Sequence, residues 1–281
     1  NYSVEELEYN LVSIMRQLLN PEKRTVAFVD GHGELSPWST SWMMFQLQKF
    51  YAVERVTLDG KINSLRDVVV EDSVNQTIKV LGNKYDVLVI AQPTERFSEQ
   101  DKYLIDQHVM HGGKVLWLVD ATTASLDSLQ TTPTFLAQER NLNLNTLFFK
   151  YGVRFHSALI QDLNCQAIPI PSGYIGNEPQ YKMWAFPYLA NFVNFTDHPI
   201  VRKMKNIKSD FSGVIDFVNS AGDLRKTVLI KTSERTKMVP TPSLVTLDVI
   251  RTKPNMEEYA FKYLPVAVLV EGKFTSAYSG R

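Results

Sequence analysis

The sequence predicts an α/β protein: a doubly wound, mostly parallel sheet over residues 1–164, then a smaller α+β region with antiparallel strands over 165–281. Three observations predict it. Short apolar runs at 25–29, 85–91 and 114–119 alternate with helical stretches, the pattern of a parallel sheet covered on both faces. The first run closes on Asp30-Gly31-His32-Gly33-Glu34, then Ser36-Pro37, a tight glycine turn followed by a helix start. After Cys165 the pattern changes. Pro169, Pro171, Gly173, Gly176 and Pro179 crowd one stretch, and β-rich patches follow without intervening helices.

The elements follow in order. Ser3-Val4-Glu5-Glu6 matches a capping box, and Val4, Leu7, Leu11, Ile14, Met15 and Leu18 recur at helical spacing until Asn20-Pro21. This helix is expected to pack on the sheet or to continue upstream. Thr25–Val29 reads as a strand buried on both faces. A helix from about Trp38 to Phe50 carries Trp38, Trp42, Phe45 and Leu47, expected as core. Ala52–Leu58 reads as a second strand; Val68–Val70 reads as strand, and Val74–Leu81 as strand or helix. Tyr85–Ala91 is the third buried strand. Ser98 then caps a helix through His111, with Glu99 and Asp101 in the first turn, where the helix dipole favours acids. Gly112-Gly113 ends it, and Lys114–Val119 is the fourth strand.

Residues 124–140 read as a polar connection, Leu142–Tyr151 as a helix stopped by Gly152, and Phe155–Asp162 as a fifth strand. In the second region the proline-rich stretch reads as an extended loop. Next come an aromatic cluster from Tyr181 to Phe195, expected as core or interface, and a short helix at Pro199–Met204. Strand patches follow at 227–232, 243–251 and 265–270, the last joined to Phe274–Tyr278 as a hairpin.

Bulk properties narrow the function. Lys+Arg and Asp+Glu are both 30, so the formal net charge is zero, which argues against a nucleic-acid binder working through bulk charge. The single cysteine excludes an internal disulfide and a cysteine-based zinc site. No run approaches the ~20 apolar residues of a membrane helix. The chain opens on Asn1 without a methionine, so it is expected to be an excised piece of a longer protein.

Ligands of open α/β sheets sit at the carboxyl ends of the strands. That rule places His32 and Glu34 (after strand 1), Gln92 and Thr94 (after strand 3), and Asp120 and Thr122 (after strand 4) as candidate ligand-binding residues. Their mixed hydrogen-bonding chemistry suits a neutral polar ligand. The competing reading of His32 and Glu34 is turn geometry and capping. Gly-His-Gly-Glu lacks both the Gly-Lys-Ser/Thr ending and the G-x-G-x-x-G spacing of phosphate loops. No G-x-S-x-G or G-x-C-x-G elbow occurs, so nucleophilic catalysis lacks its nucleophile. His108 and His111 share a helix face, but a metal site needs a third ligand that the spacing does not supply. No catalytic residue, metal or cofactor is expected.

Several segments together resemble a known family. Lys23-Arg24-Thr25-Val26-Ala27-Phe28-Val29-Asp30-Gly31-His32-Gly33-Glu34, Trp184-Ala185-Phe186-Pro187-Tyr188, Asp197-His198-Pro199-Ile200, Lys226–Ser233 and Leu264–Phe274 look like the extracytoplasmic region of GldG-type proteins, auxiliary components of gliding-motility ABC transporters. The resemblance implies a flavodoxin-like or glutaminase-like first domain, and membrane anchors outside this segment. It also implies periplasmic placement, and a permease and an ATPase as partners. A related domain occurs in an intraflagellar-transport protein, for which sugar binding is argued from fold analogy alone. The function expected from the resemblance is therefore a non-enzymatic transporter module that binds a partner protein or a polar ligand such as a glycan. The alternatives are a degenerate glutaminase-like hydrolase and a structural spacer between membrane helices.

Overall fold

The computed structural model describes residues 2–19, 22–72, 77–220 and 222–280. Its contacts divide into two compact units, residues 1–119 and 120–281.

In the first unit, α1 (Tyr2–Leu19) precedes β1 (Thr25–Asp30), α2 (Pro37–Gln48) and β2 (Ala52–Thr57). Next come β3 (Arg66–Asp72), β4 (Thr77–Asn83), β5 (Val87–Ala91), α3 (Glu99–Met110) and β6 (Lys114–Leu118). Four strands form one parallel sheet in the order β2-β1-β5-β6. The order reverses between β1 and β5. With right-handed crossovers, α2 and α3 therefore lie on opposite faces. Strand β1 is buried from Val26 to Val29 because helices cover both faces. Val26, Phe28 and Val89 pack against Met44 and Leu47 of α2. The strand-or-helix ambiguity around 68–81 resolves as the antiparallel hairpin β3–β4, with residues 73–76 of that stretch outside the described residues.

Two helical expectations are corrected. The apolar stripe of α1 does not lie on the sheet: Leu7, Leu11, Ile14 and Leu18 are exposed. The α2 aromatics are not core, since Trp38 is 87 % and Trp42 70 % exposed, with Phe45 also open; only the opposite side of the helix packs inward. Helical spacing shows that a stripe exists but not which side meets the sheet when both sides are apolar. The side chains of the Ser3–Glu6 capping box and the Asn20-Pro21 stop lie outside the described residues.

The second unit contains α4 (Leu126–Thr131) and α5 (Asn145–Lys150). Its strands begin with β7 (Thr134–Ala137), β8 (Val153–Phe155), β9 (Ala158–Asp162), β10 (Cys165–Ile175), β11 (Glu178–Phe192) and β12 (Asn194–Phe195). They continue with β13 (Ile207–Asp210), β14 (Ile215–Phe217), β15 (Leu224–Lys231), β16 (Thr236–Pro240), β17 (Ser243–Thr246) and β18 (Pro265–Gly272). Among the described residues these strands pair antiparallel.

The segment 155–162 does not extend the parallel sheet as a fifth strand. It divides between β8 and β9, which pair antiparallel with β14 and β16. A run buried on both faces does not reveal the direction of its partner, and so the 120–164 stretch belongs by contact with the second unit. The proline-rich stretch is not a loop but the hairpin β10–β11, turning at Gly176-Asn177. Pro169 and Pro171 are tolerated because β10 is an edge strand. Residues 199–203 form turns rather than a helix, and Phe274–Tyr278 forms no strand: β18 pairs with β15 instead. The polar connection at 124–140 contains α4 and β7. Of the aromatic cluster, Phe186, Tyr188 and Phe192 are core, whereas Tyr181 is exposed.

Candidate functional site

Strand β1 ends on Asp30, whose carboxylate takes the Arg55 guanidinium from β2, the Nε contact at 2.7 Å. Arg55 also donates to the Thr40 hydroxyl and the Leu35 carbonyl, so one side chain ties the strand end to the start of α2. The Asp30 contact raises the guanidinium pKa still further. Ser36 caps α2 by accepting from the Ser39 N–H.

The chain between Asp30 and Ser36 is held against the loop after β5. The Thr94 and Glu95 N–H groups both donate to the His32 carbonyl, at 2.9 and 2.8 Å. Leu35 N–H reaches the Ala91 carbonyl, and the Thr94 hydroxyl reaches the Gly33 carbonyl. Gly33 sits at φ +69°, and a Cβ there would meet Thr94 Oγ1 at 2.1 Å. Both the left-handed backbone and the close approach require glycine at this position.

His32 points inward and is 3 % exposed. Its ring lies flat on Phe97, and its Nε2 is 3.3 Å from Asp101 Oδ2. The other ring nitrogen, Nδ1, faces Glu34 Oε1 at 3.5 Å. Neither of those two atoms has a hydrogen-bond partner. Glu34 Oε2 accepts the His32 N–H at 2.8 Å. Asp101 is itself fixed, accepting from the Ser98 hydroxyl at 2.6 Å and the Gly60 N–H at 2.9 Å. One imidazole thus joins the β1 turn to the first turn of α3, whose acid Asp101 also holds the loop after β2. The Glu34 side chain is 1 % exposed. In this arrangement His32 and Glu34 form the wall of the turn; they do not face solvent.

Gln92 and Thr94 are the exposed members at this edge. Gln92 leaves β5 at φ +54°, rare for a residue with a side chain, while its N–H donates to the Leu118 carbonyl at 2.7 Å. A strained strand-end elbow is where doubly wound hydrolases hold a serine or cysteine. Here it holds an amide, which donates and accepts hydrogen bonds but does not attack carbonyl carbon.

Asp120 and Thr122 belong to the second unit. Asp120 is half-buried; Thr122 is buried, and its carbonyl accepts from the Arg140 guanidinium. The first unit brings His32, Glu34, Gln92 and Thr94 together. Sequence reasoning missed Phe97 and Asp101 as the partners of His32. Asp101 was visible only as an acid in a helix first turn.

The remaining titratable candidates have structural environments. His108 is fully buried, and burial pushes its pKa down to about 4. His111 Nδ1 contacts Arg66 and the Gln107 carbonyl. Among the described residues no three His, Cys, Asp or Glu side chains converge as a metal set. Burial raises the Cys165 thiol, which disfavours the reactive thiolate.

The family described as "ABC-type uncharacterized transport system", an auxiliary component, matches residues 23–281. No curated protein matches the chain. Among solved structures, the chain described as "mmIFT52 N-terminal domain" aligns with a TM-score of 0.45 at 13 % identity, covering 75 % of this chain and 74 % of that one.

Proposed function

This chain belongs to the ABC-type transport-system auxiliary family, and from that membership we propose that it is a non-enzymatic binding module of an ABC transporter accessory protein. The proposal includes an extracytoplasmic placement, anchorage by membrane segments outside residues 1–281, and a flavodoxin-like first unit. It also includes the gliding-motility, GldG-type assignment that the sequence resembles. Its partners are the transporter permease and ATPase, and its ligand is a partner protein or a neutral polar molecule such as a glycan.

The observation that carries the reading is the family match over nearly the whole chain. The chemistry of the β1–β5 edge supports it. The exposed groups there, Gln92 and Thr94, are neutral hydrogen-bonding side chains, and the elbow lacks a nucleophile. His32 and Glu34 contribute by fixing the turn from which those groups project. A glycan array probed with the 281-residue chain, beside a broad hydrolase panel, tests this. Binding that is lost in Gln92→Ala, with no turnover, is the expected result. Turnover by the wild type that the same variant abolishes would favour the hydrolase reading.

A further inference from the structure

Helix α2 is apolar on two opposite sides. Thr40, Met44 and Leu47 face the sheet. Trp38, Trp42 and Phe45 follow i, i+4, i+7 spacing, fall within about 60° of one another on the opposite side, and are exposed. No charged residue occurs between Pro37 and Gln48. The core-facing side is covered by the sheet, and the opposite apolar side is left without a cover in the protomer. Helix α1 carries the complementary feature: Leu7, Leu11, Ile14 and Leu18, spaced 4-3-4, lie along one side and are exposed, with Val12, Met15 and Leu19 open beside them. An apolar helix side of this width needs a partner to cover it. The three glutamates of α1 (Glu5, Glu6, Glu8) against one Arg16 disfavour an anionic membrane surface.

We propose that a second copy of this chain covers both stripes, with α1 of each protomer lying on the Trp38–Trp42–Phe45 side of its partner's α2. Area favours using both stripes together. The three aromatics offer roughly 400 Å² per protomer, about half of the ~800 Å² that a stable interface takes from each partner. The four aliphatic side chains of α1 supply a comparable area. Within one protomer α1 does not lie on α2: Leu7, Leu11, Ile14 and Leu18 are exposed together with Trp38, Trp42 and Phe45, so the cover for both comes from outside that protomer. Reciprocal exchange also makes the contact isologous, the commonest arrangement in dimers.

Sedimentation analysis of the 281-residue chain from about 1 to 100 µM tests this. Two surface variants accompany it: Trp38→Ser with Trp42→Ser, and Leu11→Glu with Ile14→Glu. All four positions are exposed, so circular dichroism should match the wild type. The wild type is expected to dimerise, and each variant to weaken dimerisation at least tenfold. An equimolar mixture of the two variants is expected to recover a heterodimer through its one intact α1–α2 pair. A monomeric wild type at 100 µM, dimerisation indifferent to both variants, or no heterodimer in the mixture would overturn the proposal. So would a monomeric wild type that co-sediments with phosphatidylcholine vesicles through Trp38 and Trp42.

Discussion

The imidazole of His32 lies 3.7 Å, centroid to centroid, from the ring of Phe97 and only 9° from parallel to it. A histidine in that position is a structural plug. One face is taken by the Phe97 ring and its edges by two carboxylates, Asp101 and Glu34. Replacing it with alanine leaves a void beside two buried acids. His32→Ala should therefore destabilise the first unit by about 2–4 kcal/mol, read as a lower urea midpoint. An unchanged midpoint would mean that the ring is dispensable to the fold and free for a ligand.

Gly33 tests the junction between the two loops. A methyl group there collides with Thr94 Oγ1 and takes a left-handed backbone that alanine resists. Gly33→Ala should cost about 1–3 kcal/mol and loosen the Thr94 contact, seen as faster amide exchange at Thr94 and Glu95. Gly112→Ala is the internal control: it shares a positive φ but has no neighbour within 4 Å, so it should cost less.

The pH dependence follows from His108. Its folded pKa, about 4, lies below the ordinary 6.5 because burial disfavours the charged ring. Between those values the unfolded chain binds the extra proton. Stability is thus full above about pH 6.5 and falls as the pH drops toward 4, by up to about 3 kcal/mol. Urea titrations at pH 7 and 4.5 measure it. In His108→Leu that part of the pH dependence should vanish.

Pro169 and Pro171 close the outer edge of β10, an edge strand that would otherwise offer N–H groups to another chain. The double variant Pro169→Val with Pro171→Val should keep the hairpin and aggregate faster, as measured by light scattering. Equal aggregation rates would show that the edge is protected by other means.

Much of the first unit was legible because its signals are local. Ser36-Pro37 and Ser98 act as helix starts, and the apolar runs at β1 and β5 are buried strands. What was illegible depends on partners distant in sequence. Ala158–Asp162 reads the same whether it pairs parallel to β1 or antiparallel to β16. The outward turn of Trp38 and Trp42 is invisible to periodicity, since the inward side of α2 is equally apolar. At the edge of the sheet, the proximity of His32 to Glu34 was readable from Gly33 between them. The stack on Phe97 and the grip of Asp101 were not, because both lie more than sixty residues away.

Co-purification is the most direct measurement of the proposed transporter role. The tagged protein, recovered from detergent extracts of the cells that make it, is expected to carry an ABC permease and an ATPase with it in fixed ratio. Recovery of the protein with neither subunit, under conditions that keep the permease and ATPase together, would contradict the account.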